Sequence, residues 1–421
     1  SAGTVALAAG ATLTHGSAGG SASSSYDGTI TGAGSLRKQG SGSLILGGSN
    51  AFTGGTTVDA GTLVLNGGTA LADGGPLHLA AGAVLQLGAA ETVGPLSGDG
   101  FIALGSHLLT VRSTTDSSFG GGIDGTGGLV KQGGATLTLS GTNLYSGSTT
   151  VQAGTLALAG GAALDDASAV RVDGGATLQL AAGETLGALT GAGAVALGPQ
   201  TLTLGNGSDT LFSGSMGGTG GLVKQGAGSV TLSGSNGFTG GTVVQAGALV
   251  LAGGSALADG GALRVDAGAA VQLAASETLG PLSGAGQVVL GTHTLTTGSA
   301  ASSVFNGSLG GDGGLVKQGA GSLTLAGSNH MAAGTRVAAG TLVLAAAGAL
   351  PDGAAVQVDT GATLQLQADK TLGAITGTGA VALGSHWLTL DSAADTAFGG
   401  GIAGSGGLVK RGSGALTLSG T

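Results

Sequence analysis

The stretch Gly220–Gly234, GGLVKQGAGSVTLSG, decides how the chain is read, because near copies of it return at one fixed interval from end to end. Its lysine marks the interval: Lys38, Lys131, Lys224, Lys317 and Lys410 stand 93 residues apart, with no insertion or deletion between the first and the last. A period of this kind is the sequence mark of a repeat architecture, in which each unit buries its apolar face against its neighbours. Four full units follow, 38–130, 131–223, 224–316 and 317–409, preceded by a partial unit at 1–37 and followed at 410–421 by the start of another. Together they read as one continuous solenoid over 1–421. Neither end shows an atypical polar capping repeat, so the sequence reads as a window on something longer.

Composition narrows what the unit can be. Of 421 residues, 95 are glycine and only 2% are aromatic, so alanine, leucine, valine and threonine have to do the packing. Five prolines and no Gly-X-Y period exclude collagen. The aliphatic content is too high, and too regularly paired, for a disordered chain. A net charge of −9 without a long basic run argues against a nucleic-acid partner. Cysteine is absent, which removes thiol catalysis, thiolate metal sites and disulfide stapling. Ser1–Gly10 has no basic n-region with an apolar h-region behind it, and no uninterrupted apolar run of about 18 residues occurs anywhere, so no signal peptide and no transmembrane helix are expected.

Within the third unit the pattern is apolar, variable, apolar, broken by glycine turns. The segments are Val230–Leu232, Val243–Gln245, Leu249–Leu251, Leu263–Val265, Val271–Leu273, Glu277–Leu279, Val288–Leu290 and Thr294–Thr296. A period of two is that of a strand with one face in and one face out. The inward position stays aliphatic, as at Leu63, Leu156, Leu249 and Leu342; the outward one varies freely, as at His78, Arg171, Arg264 and Gln357. Strands this short cannot make a free-standing sheet, but they suit a parallel β-helix whose strands pair one turn above and below. At roughly 23 residues per coil a unit holds about four coils and climbs about 19 Å at the parallel strand spacing.

Several polar positions invite a functional reading. Each lysine of the LVKQG series reads as a residue at a coil corner, snorkelling or paired with a carboxylate, with a ligand site as the alternative. Asp73, Asp166, Asp259 and Asp352 sit in turn sequences such as ADGG, and no tandem calcium-binding nonapeptide accompanies them. Glu91, Glu184 and Glu277 share a phase at which the fourth unit has Lys370, so the position reads as a solvated face. His107, His293 and His386 recur without a second histidine in phase to complete a metal pair. Asn50, Asn143, Asn236 and Asn329 precede Phe52, Tyr145, Phe238 and Met331, and a second series runs Phe119, Phe212, Phe305, Phe398. These read as corner residues packing across coils, with sugar-binding platforms as the alternative. Thr136/Thr138, Thr201/Thr203 and Thr294/Thr296 are the local pairs that an ice-binding face would need, but they do not recur at every coil. No nucleophile motif is present, so no catalytic, cofactor-binding or metal-binding residue is assigned.

From Gly221 to Leu251 the chain resembles the passenger-associated β-strand repeat of Gram-negative autotransporters, and the likeness returns in GLVKQGAGSLTLAGSN from Gly314 and STTVQAGTLAL from Ser148. That resemblance implies a right-handed parallel β-helix displayed outside the cell and carried through the outer membrane by a C-terminal β-barrel that does not occur in these residues. It also implies a structural stalk, adhesin or biofilm component, not an enzyme, with a host or neighbouring cell surface as partner. Two alternatives stay open: a fibre in which copies stack end to end through unpaired edges, and a carbohydrate-binding β-helix.

Overall fold

A computed structural model describes residues 3–205 and 207–420, which fall into two units, Ser1–Asn206 with Ser213–Gly217, and Gly207–Phe212 with Gly218–Thr421. Both are parallel β-solenoids, about 20 turns in all, and the one helical element among the described residues is a three-residue 3-10 turn at Ala347–Ala349. The parallel β-helix read from the sequence is therefore the fold.

In the first unit each turn carries three short strands, so three ladders climb side by side. One runs through Ser35–Lys38, Thr56–Val58, Leu77–Leu79, Leu96–Gly98, Ser117–Phe119 and Thr136–Leu139. The second contains Ser43–Leu46, Thr62–Leu65, Val84–Leu87, Phe101–Gly105 and Gly122–Gly125. In the third, Thr29–Gly32 pairs with Ala51–Phe52, the loop around Ala70 and Leu71 takes the next place, and Glu91–Val93, Leu109–Arg112 and Leu129–Gln132 resume the ladder. Along the first ladder, register partners Lys38, Val58, Leu79, Gly98 and Phe119 are separated by steps of 20, 21, 19 and 21 residues. A turn is thus about 20 residues long, shorter than the 23 expected.

The shorter turn changes the symmetry of the repeat. Between Lys38 and Lys131 the chain passes through fourteen strand positions, thirteen strands and the one loop, which at three per turn is four turns and two-thirds of another. Equivalent lysines therefore stand in different ladders, Lys38 beside Val58 and Lys131 beside Val151. The second unit behaves in the same way: Lys224 pairs with Val244, Lys317 with Val337 and Lys410 with Leu390, in three separate sheets.

The core is a column of inward aliphatic side chains. Leu63, Leu156, Leu249 and Leu342 are fully buried, and Arg171, Arg264 and Gln357 face outward as expected. Burial of each such leucine contributes about 1.5–3 kcal/mol, summed along the column. One strand is phased differently from the sequence reading: in Thr242–Val244 it is Thr242 and Val244 that point inward and Val243 that points out. A buried threonine there breaks the apolar alternation by which the phase was read.

Candidate functional site

The recurring polar residues lie inside the solenoid. Lys38, Lys131, Lys224 and Lys317 are at most 1% exposed. Alternation puts them there, since the leucine two residues earlier in each LVK or LRK segment is also inward. Lys38 Nζ donates to the carbonyls of Gln39 at 2.9 Å, Gly40 at 2.8 Å and Ala60, one turn on, at 3.0 Å. Lys131, Lys224 and Lys317 make the same three bonds, the third reaching Ala153, Ala246 and Ala339. All three ammonium protons are thereby matched, as a buried charge requires. The expectation of a snorkelling or carboxylate-paired corner lysine is corrected: the partners are backbone carbonyls, and burial lowers each lysine's pKa. Gly61 makes room for the cage. It sits at φ 67°, and a Cβ there would lie 2.5 Å from the Gly40 carbonyl oxygen and 2.8 Å from Nζ. Lys410, at the last described turn, is exposed.

A second device spans the loop that interrupts the ladder. Asn50 is buried; its Oδ1 accepts from the Ile30 amide below and its Nδ2 donates to Ala70 O in the loop above, at 2.7 and 2.8 Å. From the next turn Glu91 reaches back, its two oxygens accepting from the amides of Ala70 and Leu71 at 3.1 and 2.9 Å. Consecutive amides aimed at one carboxylate form an anion nest. Side chains here replace the bonds that the absent strand would have made. Glu184 and Glu277 make the same amide contacts at Ala163–Leu164 and Ala256–Leu257, and Asn143 and Asn236 donate Nδ2 to the loop carbonyls of Ala163 and Ala256, although Asn143 Oδ1 is buried without a partner. These glutamates are only 2–3% exposed, which corrects the solvated-face reading. Burial outweighs the amide bonds and raises their pKa values, that of Glu91 to about 7.

The fourth repeat shows why the position accepts either sign. Lys370 is equally buried, but its Nζ donates to Ala347 O and Leu350 O, both at 2.6 Å, and to Asp352 Oδ1 at 2.9 Å. The loop, which holds the 3-10 turn and Pro351, presents carbonyls where the other three present amides. Sequence comparison between repeats sees a charge reversal; the structure shows the loop reversing with it.

Phe52, Tyr145, Phe238 and Met331, and Phe119, Phe212, Phe305 and Phe398, are all buried, so none is a sugar-stacking platform. Three of them fill space beside a glycine. Phe119, Phe305 and Phe398 lie over Gly121, Gly307 and Gly400, where an added Cβ would sit 2.7 Å from the ring Cζ, so the missing side chain leaves the space that the ring fills.

Outside, little converges. Arg37–Asp59, Arg171–Asp173, Arg264–Asp266 and Arg336–Asp359 are exposed ion pairs. Asp73, Asp166 and Asp259 lie in the loops beside the buried glutamates. His386 lies 3.7 Å from Asp369. Thr92, Thr110 and Thr150 follow one ladder but Val130 and Arg171 interrupt them, so the threonine face is discontinuous. Among the described residues no three His, Cys, Asp or Glu side chains group so as to hold a metal ion, and no helix is long and apolar enough to cross a membrane.

Comparison with known proteins agrees with this geometry. The family model described as Passenger-associated-transport-repeat matches residues 36–65, 129–158, 222–251, 315–344 and 408–421. In each of the four full matches, that span contains the lysine cage and the bridging asparagine. The chain is 36% identical over 330 residues to "Adhesin BmaC autotransporter" of Brucella suis biovar 1 (strain 1330), an alignment covering 72% of this chain and 9% of that protein. The chain thus spans only a small part of the length of that relative. No solved structure matches it significantly. Together, the repeat matches and the likeness to that relative identify the chain as a passenger-associated-transport-repeat region of an autotransporter passenger.

Proposed function

We propose that this region is a non-enzymatic, extracellular structural segment: a stiff passenger stem on the outer-membrane surface of a Gram-negative cell that carries or makes adhesive contact with a host or neighbouring cell. One observation carries the reading. In the four full repeats the side chains at the recurring lysine and asparagine positions, and the glutamates or the lysine at the third, are turned inward and used to close the solenoid. A catalytic site needs a singular arrangement of reactive groups in a cleft, whereas the outward positions vary without converging. Support for display and adhesion comes from the adhesin relative, and a part in biofilm follows from the same cell-to-cell contact.

The test is display of the region through a heterologous autotransporter barrel on non-adherent bacteria, counting attached cells on epithelial monolayers and on a sister lawn. Attachment above that of the barrel alone, competed away by purified region, is the expected result. Attachment equal to that of a scaffold of similar length and unrelated sequence refutes an adhesive role and leaves a stem.

A further inference from the structure

We propose that the interrupting loop of each of the first three repeats is a proton-operated clasp, closed more firmly in acid, whereas the fourth repeat carries a clasp of opposite charge that needs no proton to close. The argument begins with charge accounting. Glu91, Glu184 and Glu277 are buried, each accepts from two backbone amides, and among the described residues no basic side chain forms an ion pair with any of them. The titratable groups that face them make matters worse: Asp73 faces Glu91, Asp259 faces Glu277, and Asp166 together with the buried Tyr145 hydroxyl faces Glu184. Tyr145 is itself committed to Thr149 Oγ1 at 2.5 Å. A lone buried carboxylate beside a second acid is the arrangement in which taking up a proton relieves both desolvation and repulsion.

The fourth clasp supplies the internal contrast. The equivalent aspartate, Asp352, is there a partner and not a rival, bonded to Lys370. The loop presents carbonyls, and a charge pair stands where the others have an unbalanced charge.

Linkage fixes the sign. In the open loop the carboxylate is solvated and titrates near its ordinary value; in the closed loop it is raised, to about 7 for Glu91, chiefly because of burial. The closed form therefore binds more protons between those values. The extra stability is complete below the ordinary value and is lost as pH rises through the raised one. Between pH 5 and pH 8 the closing equilibrium at Ala70 and Leu71 should fall roughly seventyfold, most of the tenfold-per-unit separation lying inside that window.

Amide hydrogen exchange on the intact chain at pH 5 and pH 8, corrected for intrinsic rates, tests this. Peptides covering Ala70–Leu71, Ala163–Leu164 and Ala256–Leu257 should be better protected at pH 5, and that covering Ala349–Leu350 equally protected at both. Glu91→Gln should abolish the difference at residues 70–71 and leave the other two loops unchanged. Should that loop stay open at both pH values, Asp73→Asn serves instead: removing the facing charge should raise protection at pH 8 and so shrink the difference between the two pH values. An equal pH response in all four loops, a response surviving Glu91→Gln, or better protection at pH 8 would overturn the proposal.

Discussion

Replacing Lys317 by methionine sets two large effects against each other. Its Nζ donates to Gln318 O and Gly319 O at 2.9 Å and to Ala339 O at 3.0 Å, linking one turn to the next. Methionine keeps the buried stem and removes a desolvated ammonium, a change that by itself favours folding, because burying a charge costs several kcal/mol. Against this, three carbonyls lose their partner, at about 1–3 kcal/mol for each that stays dry. The cage is built around Gly340, whose positive φ and missing Cβ leave no slack for the turn to collapse. The orphaned carbonyls should therefore dominate, with a net loss of about 3 kcal/mol, in the range seen when one partner of a buried ionic group is removed. Because a solenoid is stabilised by neighbour terms, the loss should appear locally. Amide exchange over residues 315–344 should accelerate roughly a hundredfold, at 1.36 kcal/mol per factor of ten. The distant first-repeat peptides should not change. Fluorescence of Trp387, the chain's one tryptophan, follows unfolding of the second unit independently. Unchanged or slower exchange in 315–344 would refute the cage as a source of stability.

Two further substitutions separate inside from outside. Gly340→Ala places a Cβ 2.3 Å from Gly319 O at φ 65°; left-handed backbone strain of about 1–2 kcal/mol adds to the clash. Its local exchange should accelerate at least as much as in Lys317→Met, and acceleration below fivefold would contradict it. Arg264→Ala removes an exposed 2.7 Å ion pair with Asp266, so denaturant midpoints should shift by no more than about 0.2–1 kcal/mol, and a larger loss would mean that the outer face is more than solvated.

The architecture was legible because paired aliphatics such as Leu249 and Leu251, and Leu263 and Val265, carry a period-two signal strong enough to survive the glycine. Two strands without such a pair went unread. Leu282–Gly284 and Ser308–Gly311 each hold one leucine among glycine and serine, and their ladder is visible only when stacked on the turn below. Turn length was misjudged for a related reason: steps vary between 19 and 21 residues within one ladder, so the turn period is blurred while the 93-residue duplication is sharp. The lysine and glutamate positions were hidden by chemistry. A side chain satisfied by backbone carbonyls or amides has no partner that sequence can name, and the exchange of Glu277 for Lys370 resembles the tolerance of an exposed site. Strand alternation puts Lys224 on the same buried face as Leu222, where its charge is met by carbonyls that the sequence does not mark.

A repeat of four turns and two-thirds has a consequence for how such a chain changes in evolution. Recombination between similar units of equal length adds or removes whole repeats, and because the repeat is a whole number of strand positions, the junction always joins strand to strand. It is not a whole number of turns. Each gain or loss therefore passes every later segment to the neighbouring ladder, re-aiming its outer residues by a third of a circle, and only changes of three repeats restore the original aim. Copy number in this kind of solenoid is a compass as well as a ruler.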